Sequence, residues 1–202
     1  MAKTLNEQKH ADQKMRFLSH ARRLFASWGV KETSMSRIAG ACKVTKATLY
    51  HYFTGKECIL KEILNCKARE SDTFLSKLSS AKTLEECLYH MGKNHLAEME
   101  KPENLDILKI LLSETMKNKD MKRFYVHFTQ ERIMKGAKDL ISPFVKGRKS
   151  EKEVRLIFFQ FLASLMHYTW NQRMVGDLSE LIGNEETFVR QLAQTYAKAL
   201  TS

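Results

Sequence analysis

Seven histidines, four cysteines and 23 acidic residues equip this 202-residue chain for acid–base, metal or thiol chemistry, but their spacing fits none of the three. There is no Gly-x-Ser-x-Gly nucleophile turn, no glycine-rich phosphate loop and no His-Glu-x-x-His zinc pair. Cys42, Cys58, Cys66 and Cys87 contain no Cys-x-x-Cys pair and join no His/Cys group at zinc spacing. His95 falls on an apolar face with Leu88 and Met91, where a packed or pocket-lining histidine is the commoner outcome. Cys87, His90 and His95 project over too wide an arc of one helix to make a single site. No catalytic residue, no metal site and no cofactor is expected. In a reducing compartment the cysteines are expected as free thiols, Cys42 and Cys66 in cores, with Cys58 or Cys87 the candidates for a redox switch.

The chemistry that the spacing does support is hydrogen bonding to a charged polymer. Val44 to Phe53 reads VTKATLYHYF. Thr45 is suited to N-cap a helix, because its hydroxyl accepts from free backbone N–H groups of the next turn. Lys46, Ala47 and Thr48 occupy that first turn, Leu49 sits at the spacing of a core anchor, and Tyr50, His51 and Tyr52 follow as three successive donors. Gly55 is expected to supply a left-handed helix end. Short side chains at one end and long donors further along suit a helix that meets base edges and the phosphates beside them.

The residues before it reinforce this. Thr33 to Val44 reads TSMSRIAGACKV: Ser34 can cap a helix whose Met35, Ile38, Ala39 and Cys42 turn inward, and Val44 can bury between the two helices. Two short helices joined by a tight turn, the second one basic, make a helix-turn-helix. From Ala21 to Leu64 the chain, with ARRLFASWGV, TSMSRIAGACKVTKATLYHYF and GKECILKEIL, resembles the TetR family of bacterial transcriptional regulators over about its first third. Carried over position by position, the resemblance implies that Ser34, Thr45, Tyr50, Tyr52 and Lys56 hold phosphates. It implies that Ser36, Arg37, Lys46, Ala47 and Thr48 face base edges, with His51 fit for either duty or for packing. Where many members carry Gly or Ser in the recognition turn, Lys46-Ala47 stands here.

Composition agrees. Residues 1–70 hold 14 Lys and Arg against 6 Asp and Glu, which is +8 of the chain's +11, so most of the positive excess lies with the helix-turn-helix. Only 2 prolines and 8 glycines favour helices throughout. There is no apolar run long enough to span a membrane, and MAKTLNEQKH lacks the apolar core of a signal peptide; a cytoplasmic protein with no membrane partner is expected. The expected fold is all-α, about nine helices. A helix-turn-helix DNA-binding domain would occupy 1–55 and a larger helical effector-binding and dimerisation domain 56–202, joined by a helix over about 56–79.

Taken in order, Leu5 to Trp28 reads as one helix with Leu18, Ala21, Phe25 and Trp28 on its inward stripe, Arg16, Arg22 and Arg23 staying in water. The helix from Lys56 carries Ile59, Leu60, Ile63, Leu64 and Cys66, then Phe74, Leu75 and Leu78. Thr83 caps a helix with Leu84, Leu88, Met91 and His95. Pro102 interrupts, a helix from about Asn104 bears Leu105, Leu108, Leu111 and Leu112, and Asp120 starts one with Met121, Phe124, Tyr125, Phe128, Ile133, Ala137, Leu140 and Ile141. Pro143 and Gly147 then break the chain. Val154 to Trp170 is apolar nearly all round and must be covered on more than one face; a last helix carries Phe188, Leu192, Tyr196 and Leu200.

The resemblance implies that these last two long helices form a two-fold dimer through a four-helix bundle, with Phe161, Leu165, Phe188, Leu192 and Tyr196 as interface candidates. It also implies a pocket for a small apolar or aromatic effector that lowers affinity for a palindromic double-stranded DNA operator. Met91, His95, Phe124, Tyr125, Phe128, Met134, Phe158, Phe161, Met166, His167 and Trp170 are its candidate walls, methionine allowing re-packing around different guests. Two other readings remain open: a helical sensor with a non-functional helix-turn-helix, and a thiol-based redox regulator.

Overall fold

The computed structural model describes residues 2–77, 81–145, 147–176 and 179–202, and within its helices leaves out the side chains of 2–5, 71–77, 132, 133, 137, 181 and 182. The described residues form α1 (Ala2–Trp28), α2 (Met35–Ala41), α3 (Lys46–Tyr52), α4 (Lys56–Lys77), α5 (Leu84–Met99), α6 (Pro102–Lys117), α7 (Lys119–Gly136), α8 (Ser142–Val145), α9 (Glu151–Trp170), α10 (Ser179–Ile182) and α11 (Glu185–Thr201). Nine of these have seven residues or more, α8 and α10 being four-residue turns. The fold is all-α, as expected, with no strand among the described residues. Short π-helical turns, Ala137–Ile141 and Asn171–Val175, continue α7 and α9. The expected inward positions Phe74, Leu75, Ile133 and Ala137 fall among the side chains left out, and Leu78 lies outside the described residues.

Two compact units divide the chain: Met1–Glu70 with Pro102–Arg123, and Ser71–Lys101 with Phe124–Ser202. Packing thus draws its line elsewhere than the functional boundary expected at residue 55, because Ile59, Leu60, Ile63 and Leu64 of α4 are buried within the first unit.

In the first unit the buried side chains include Phe17, Leu18, Ala21 and Phe25 of α1, Met35, Ile38 and Ala39 of α2, Leu49 of α3, the four α4 residues, and Leu108 and Ile110 of α6. α1 ends at Gly29, whose φ of +80° is a left-handed conformation that a side chain would strain. Buried Thr33 is satisfied by donating to the Gly29 carbonyl at 2.8 Å. α6 lies along α1, tied by Arg22 to Asp106 at 2.5 Å. That pair corrects the expectation of a solvated Arg22, whose side chain is only 12% exposed; Arg16 and Arg23 are exposed as expected. Pro102 does not interrupt but opens α6 at its first position, where its missing N–H would have had no partner. Asn118, rather than Asp120, caps α7, its Oδ1 accepting from the N–H groups of Asp120 and Met121 at 2.9 and 3.1 Å. Leu112, expected inward, is exposed.

In the second unit α5, α9 and α11 surround a core of Leu88, Met91, Leu140, Ile141, Phe158, Phe161, Leu165, Ala193 and Leu200. α5 and α11 approach closely because Gly92 has no side chain; a Cβ there would meet a Val189 methyl at 2.7 Å. α9 starts from a reciprocal cap in which Ser150 Oγ accepts from Glu153 N–H and the Glu153 carboxylate accepts from Ser150 N–H. The buried stripe of α11 is Val189, Ala193, Ala197 and Leu200, and Phe188, Leu192 and Tyr196, three of the four residues expected on it, flank it half-buried.

Candidate nucleic-acid interface

Local chemistry shapes the helix-turn-helix. Ser34 Oγ accepts from the Arg37 N–H at 3.1 Å and starts α2. α2 closes with Val44 N–H donating to the Ala39 carbonyl and Lys43 N–H to Gly40, both at 3.0 Å, the double bond of a Schellman end. Lys43 takes the left-handed position, φ +55°, which glycine would occupy with less strain. Arg16 of α1 donates to the Cys42 carbonyl at 2.5 Å and pins this turn. Cys42 is buried; that burial pushes its thiol up, with the Arg16 charge opposing. Val44 is half-buried rather than enclosed.

Thr45 caps α3 as expected, accepting from the Thr48 N–H at 3.1 Å, and its hydroxyl lies 2.8 Å from that of Thr48. Leu49 is the one buried residue of α3. Thr45, Lys46, Ala47, Thr48, Tyr50 and His51 are exposed, as are Ser34, Ser36 and Arg37 of the preceding helix. The Lys46 ammonium lies 5.7 Å from the Tyr50 ring centroid. α3 ends at Phe53 in an extended conformation, and Gly55 does not adopt the left-handed form expected of it. The buried Phe53 ring anchors the exit instead.

Three features of this surface come from side chains far apart in sequence. Tyr52 is half-buried, with His10 stacked on it at 4.3 Å and Phe17 edge-on at 5.0 Å. His10 and Phe17 are seven residues apart and share one face of α1, a legible signal for a joint contact but not for its target. Lys56 Nζ donates to the Lys31 carbonyl at 2.8 Å, fastening the start of α4 to the loop before α2. Trp28, expected in the inward stripe, is 59% exposed, with the Arg37 guanidinium 4.7 Å from its ring centroid.

The effector candidates separate. Phe158 and Phe161 stack at 6.4 Å within the packed core that also holds Met91. His95 Nε2 lies 2.9 Å from Thr169 Oγ1, which donates to the Leu165 carbonyl; burial pushes the imidazole down to about 4, so it is neutral near pH 7. Phe124 and Phe128 stack at 5.9 Å. Tyr125 and Met134 line an open groove of about 700 Å³ with Val126, Leu156 and Phe159, edged by Lys152 and Arg155. Met166 is half-buried, His167 exposed and bonded to Asn171, and Trp170 exposed. Of the dimer candidates, Phe161 and Leu165 are 0% and 1% exposed in the chain's own core, so they are already occupied.

Among the thiols, Cys87 is buried and its pKa is pushed up to about 11, which withdraws it as a nucleophile at neutral pH. Cys58 is half-buried; so is Cys66, expected in a core, with Arg69 Nη2 at 3.0 Å from its sulfur. Among the described residues no three metal-ligating side chains converge, and no helix is long and apolar enough to cross a membrane.

Residues 17–63 match the family model described as bacterial regulatory proteins, tetR family. No curated protein matches the chain. Among solved structures, Salmonella enterica GusR is 21% identical, with 94% of this chain and 94% of that chain covered at a TM-score of 0.70. A transcriptional regulator of the TerR/AcrR family from Aquifex aeolicus is 16% identical, covering 91% and 96%, at 0.68. The fatty acid degradation regulator FadR from Bacillus halodurans is 20% identical, covering 92% and 94%, at 0.62. At these identities the likeness is one of fold along nearly the whole chain.

Proposed function

We propose that this chain, whose residues 17–63 match the model of the tetR family of bacterial regulatory proteins, is a repressor of that kind that binds a near-palindromic duplex operator as a homodimer and leaves it when a small hydrophobic effector binds. The observation that carries the reading is α3 itself. On a helix with one buried anchor, Leu49, every side chain from Thr45 to Thr48, with Tyr50 and His51, is held toward solvent. Lys46, Ala47 and Thr48, with Ser36 of α2, are short or flexible enough to meet base edges, the Ala47 methyl suiting a thymine methyl. Ser34, Thr45, Tyr50, Tyr52 and Lys56 surround them as phosphate donors. The cap hydroxyls of Ser34 and Thr45 accept from the backbone, and that of Thr45 also shares a hydrogen bond with the Thr48 hydroxyl.

Dimerisation is supported by the outward face of α9, where Leu156, Phe159, Ala163, His167 and Trp170 are all exposed at helical spacing. A second copy would place two recognition helices about one turn of duplex apart, roughly 34–36 Å. Release is supported by connectivity: α4 starts at Lys56, beside α3, and crosses into the second unit at Glu70/Ser71. An effector that shifts the far half of α4 would disturb that spacing, provided it binds the DNA-free state better, and DNA must weaken the effector by the same factor.

The test is selection of a binding site from a randomised duplex library, followed by titration of the selected duplex at several salt concentrations. A selected near-palindrome bound far more tightly than random sequence is the expected result. Failure to enrich any sequence would leave a helical sensor without DNA recognition. A ligand screen by thermal shift, each hit then added to the operator titration, tests release; hits that leave operator affinity unchanged would remove the effector from the mechanism.

A further inference from the structure

Trp28 closes α1 with 59% of its surface exposed, in a unit where Phe17, Phe25 and Phe53 are fully enclosed. The Arg37 guanidinium sits 4.7 Å from its ring centroid. An arginine stacked on an aromatic face places its flat surface against the ring and leaves its N–H donors at the edge, in one plane and pointing away. That fork matches the two oxygens of a phosphate. No carboxylate competes for it, since Arg37 joins no ion pair among the described residues. The immediate neighbours suit the same ligand: Ser34 Oγ accepts from the Arg37 N–H, and Lys56 reaches the Lys31 carbonyl of the same loop.

We propose that Arg37 holds a backbone phosphate of duplex DNA beside the bases met by α3, and that Trp28 is the residue that positions it. The proposal rests on the reading of this chain as a DNA-binding protein and gives Arg37 a duty other than the base-edge contact expected from the sequence. The reason is geometric. Arg37 belongs to α2, the first helix of the helix-turn-helix, which crosses the backbone in such complexes whereas α3 enters the groove, and its guanidinium is committed to Trp28 at the end of α1. Held on the indole, the arginine loses less side-chain freedom when it binds, which is why an exposed tryptophan is useful there.

Binding of Trp28→Ala, Trp28→Phe, Arg37→Ala and the Trp28→Ala/Arg37→Ala double variant to the selected operator and to random duplex of equal length tests this. Arg37→Ala should weaken both duplexes by the same factor, about tenfold, and make the plot of log affinity against log salt shallower by about one unit. Trp28→Ala should weaken both about two- to fivefold without changing that slope, while Trp28→Phe recovers most of the loss. The double variant should be no worse than Arg37→Ala, because the indole acts only through the arginine. A loss confined to the operator would make Arg37 a base reader and overturn the proposal. Additive losses, or a silent Trp28→Ala, would overturn the positioning role. If the unaltered protein binds no duplex at all, the DNA-binding reading falls first and this proposal with it. Trp28 and Arg37 are surface residues, and matched melting curves confirm that each variant is folded.

Discussion

α3 and α9 are both helices with a buried side and an outward side, and they leave opposite chemistry in water. α3 buries Leu49 alone, and with its cap it turns outward two threonines, a lysine, an alanine, a tyrosine and a histidine. α9 buries Val154, Phe158, Phe161, Leu165, Tyr168 and Thr169 and still shows solvent Leu156 at 55% and Phe159 at 49% exposure. Polar donors on a basic surface lose little by waiting in water, and the partner proposed for them is a polyanion. Apolar side chains in water carry a standing cost that only another apolar surface removes, of about 1.5–3 kcal/mol for each large one. The contrast teaches that exposure alone does not identify a partner; the chemistry of what is exposed does.

The largest effects should come from the inward sides. Phe161→Ala empties a wholly buried site and should cost about 3–5 kcal/mol, and Leu49→Ala about 2–5, read from denaturant or thermal unfolding. A small loss at Phe161 would mean that the interior re-packs around the gap, as an adaptable effector pocket would.

On the outward side of α9, Phe159→Glu should leave the chain folded but weaken the proposed dimer by about a hundredfold, since a charge would have to be buried in the contact. Sedimentation of the variant beside the unaltered protein reads this directly. An unchanged dimer would move the interface off this face of α9.

The inward side of α9 also carries a polar contact, His95 against Thr169. The imidazole is held down to about 4 from an ordinary 6.5, so below 6.5 the unfolded chain takes up a proton that the folded one refuses. Stability contributed by neutral His95 is complete above pH 6.5 and falls progressively as pH drops toward 4, by on the order of 2–3 kcal/mol. His95→Leu should flatten that part of the stability–pH curve, and an unaltered slope would show His95 reaching water.

The smallest and most selective effects belong to the outward side of α3. Thr48→Ala should change preference among operator variants by about 1–3 kcal/mol. Tyr50→Phe and Lys56→Ala should weaken operator and random duplex equally and lower the salt dependence. Identical behaviour of all three would erase the distinction between base-facing and phosphate-facing positions.

What was legible in the sequence is what depends on neighbours within a few residues. Ser34, Thr45 and Thr83 start helices because their oxygens reach N–H groups three residues on, and Met35, Ile38, Ala39 and Leu49 turn inward because helical spacing puts them together. Charge asymmetry and the order of the short helices mark, for the same local reason, the surface proposed to face DNA. Tertiary structure alone decided which half of an ambiguous stripe is covered. Trp28 continues the α1 stripe yet ends exposed, where Arg37 can take its face. Arg22 is half-buried because α6, some eighty residues later, brings Asp106 to it. Leu165 and Phe161 are wholly buried because α5 and α11 pack onto them. Helical periodicity states that a face is apolar, but what covers that face depends on elements distant in the chain, and no local pattern records their arrival.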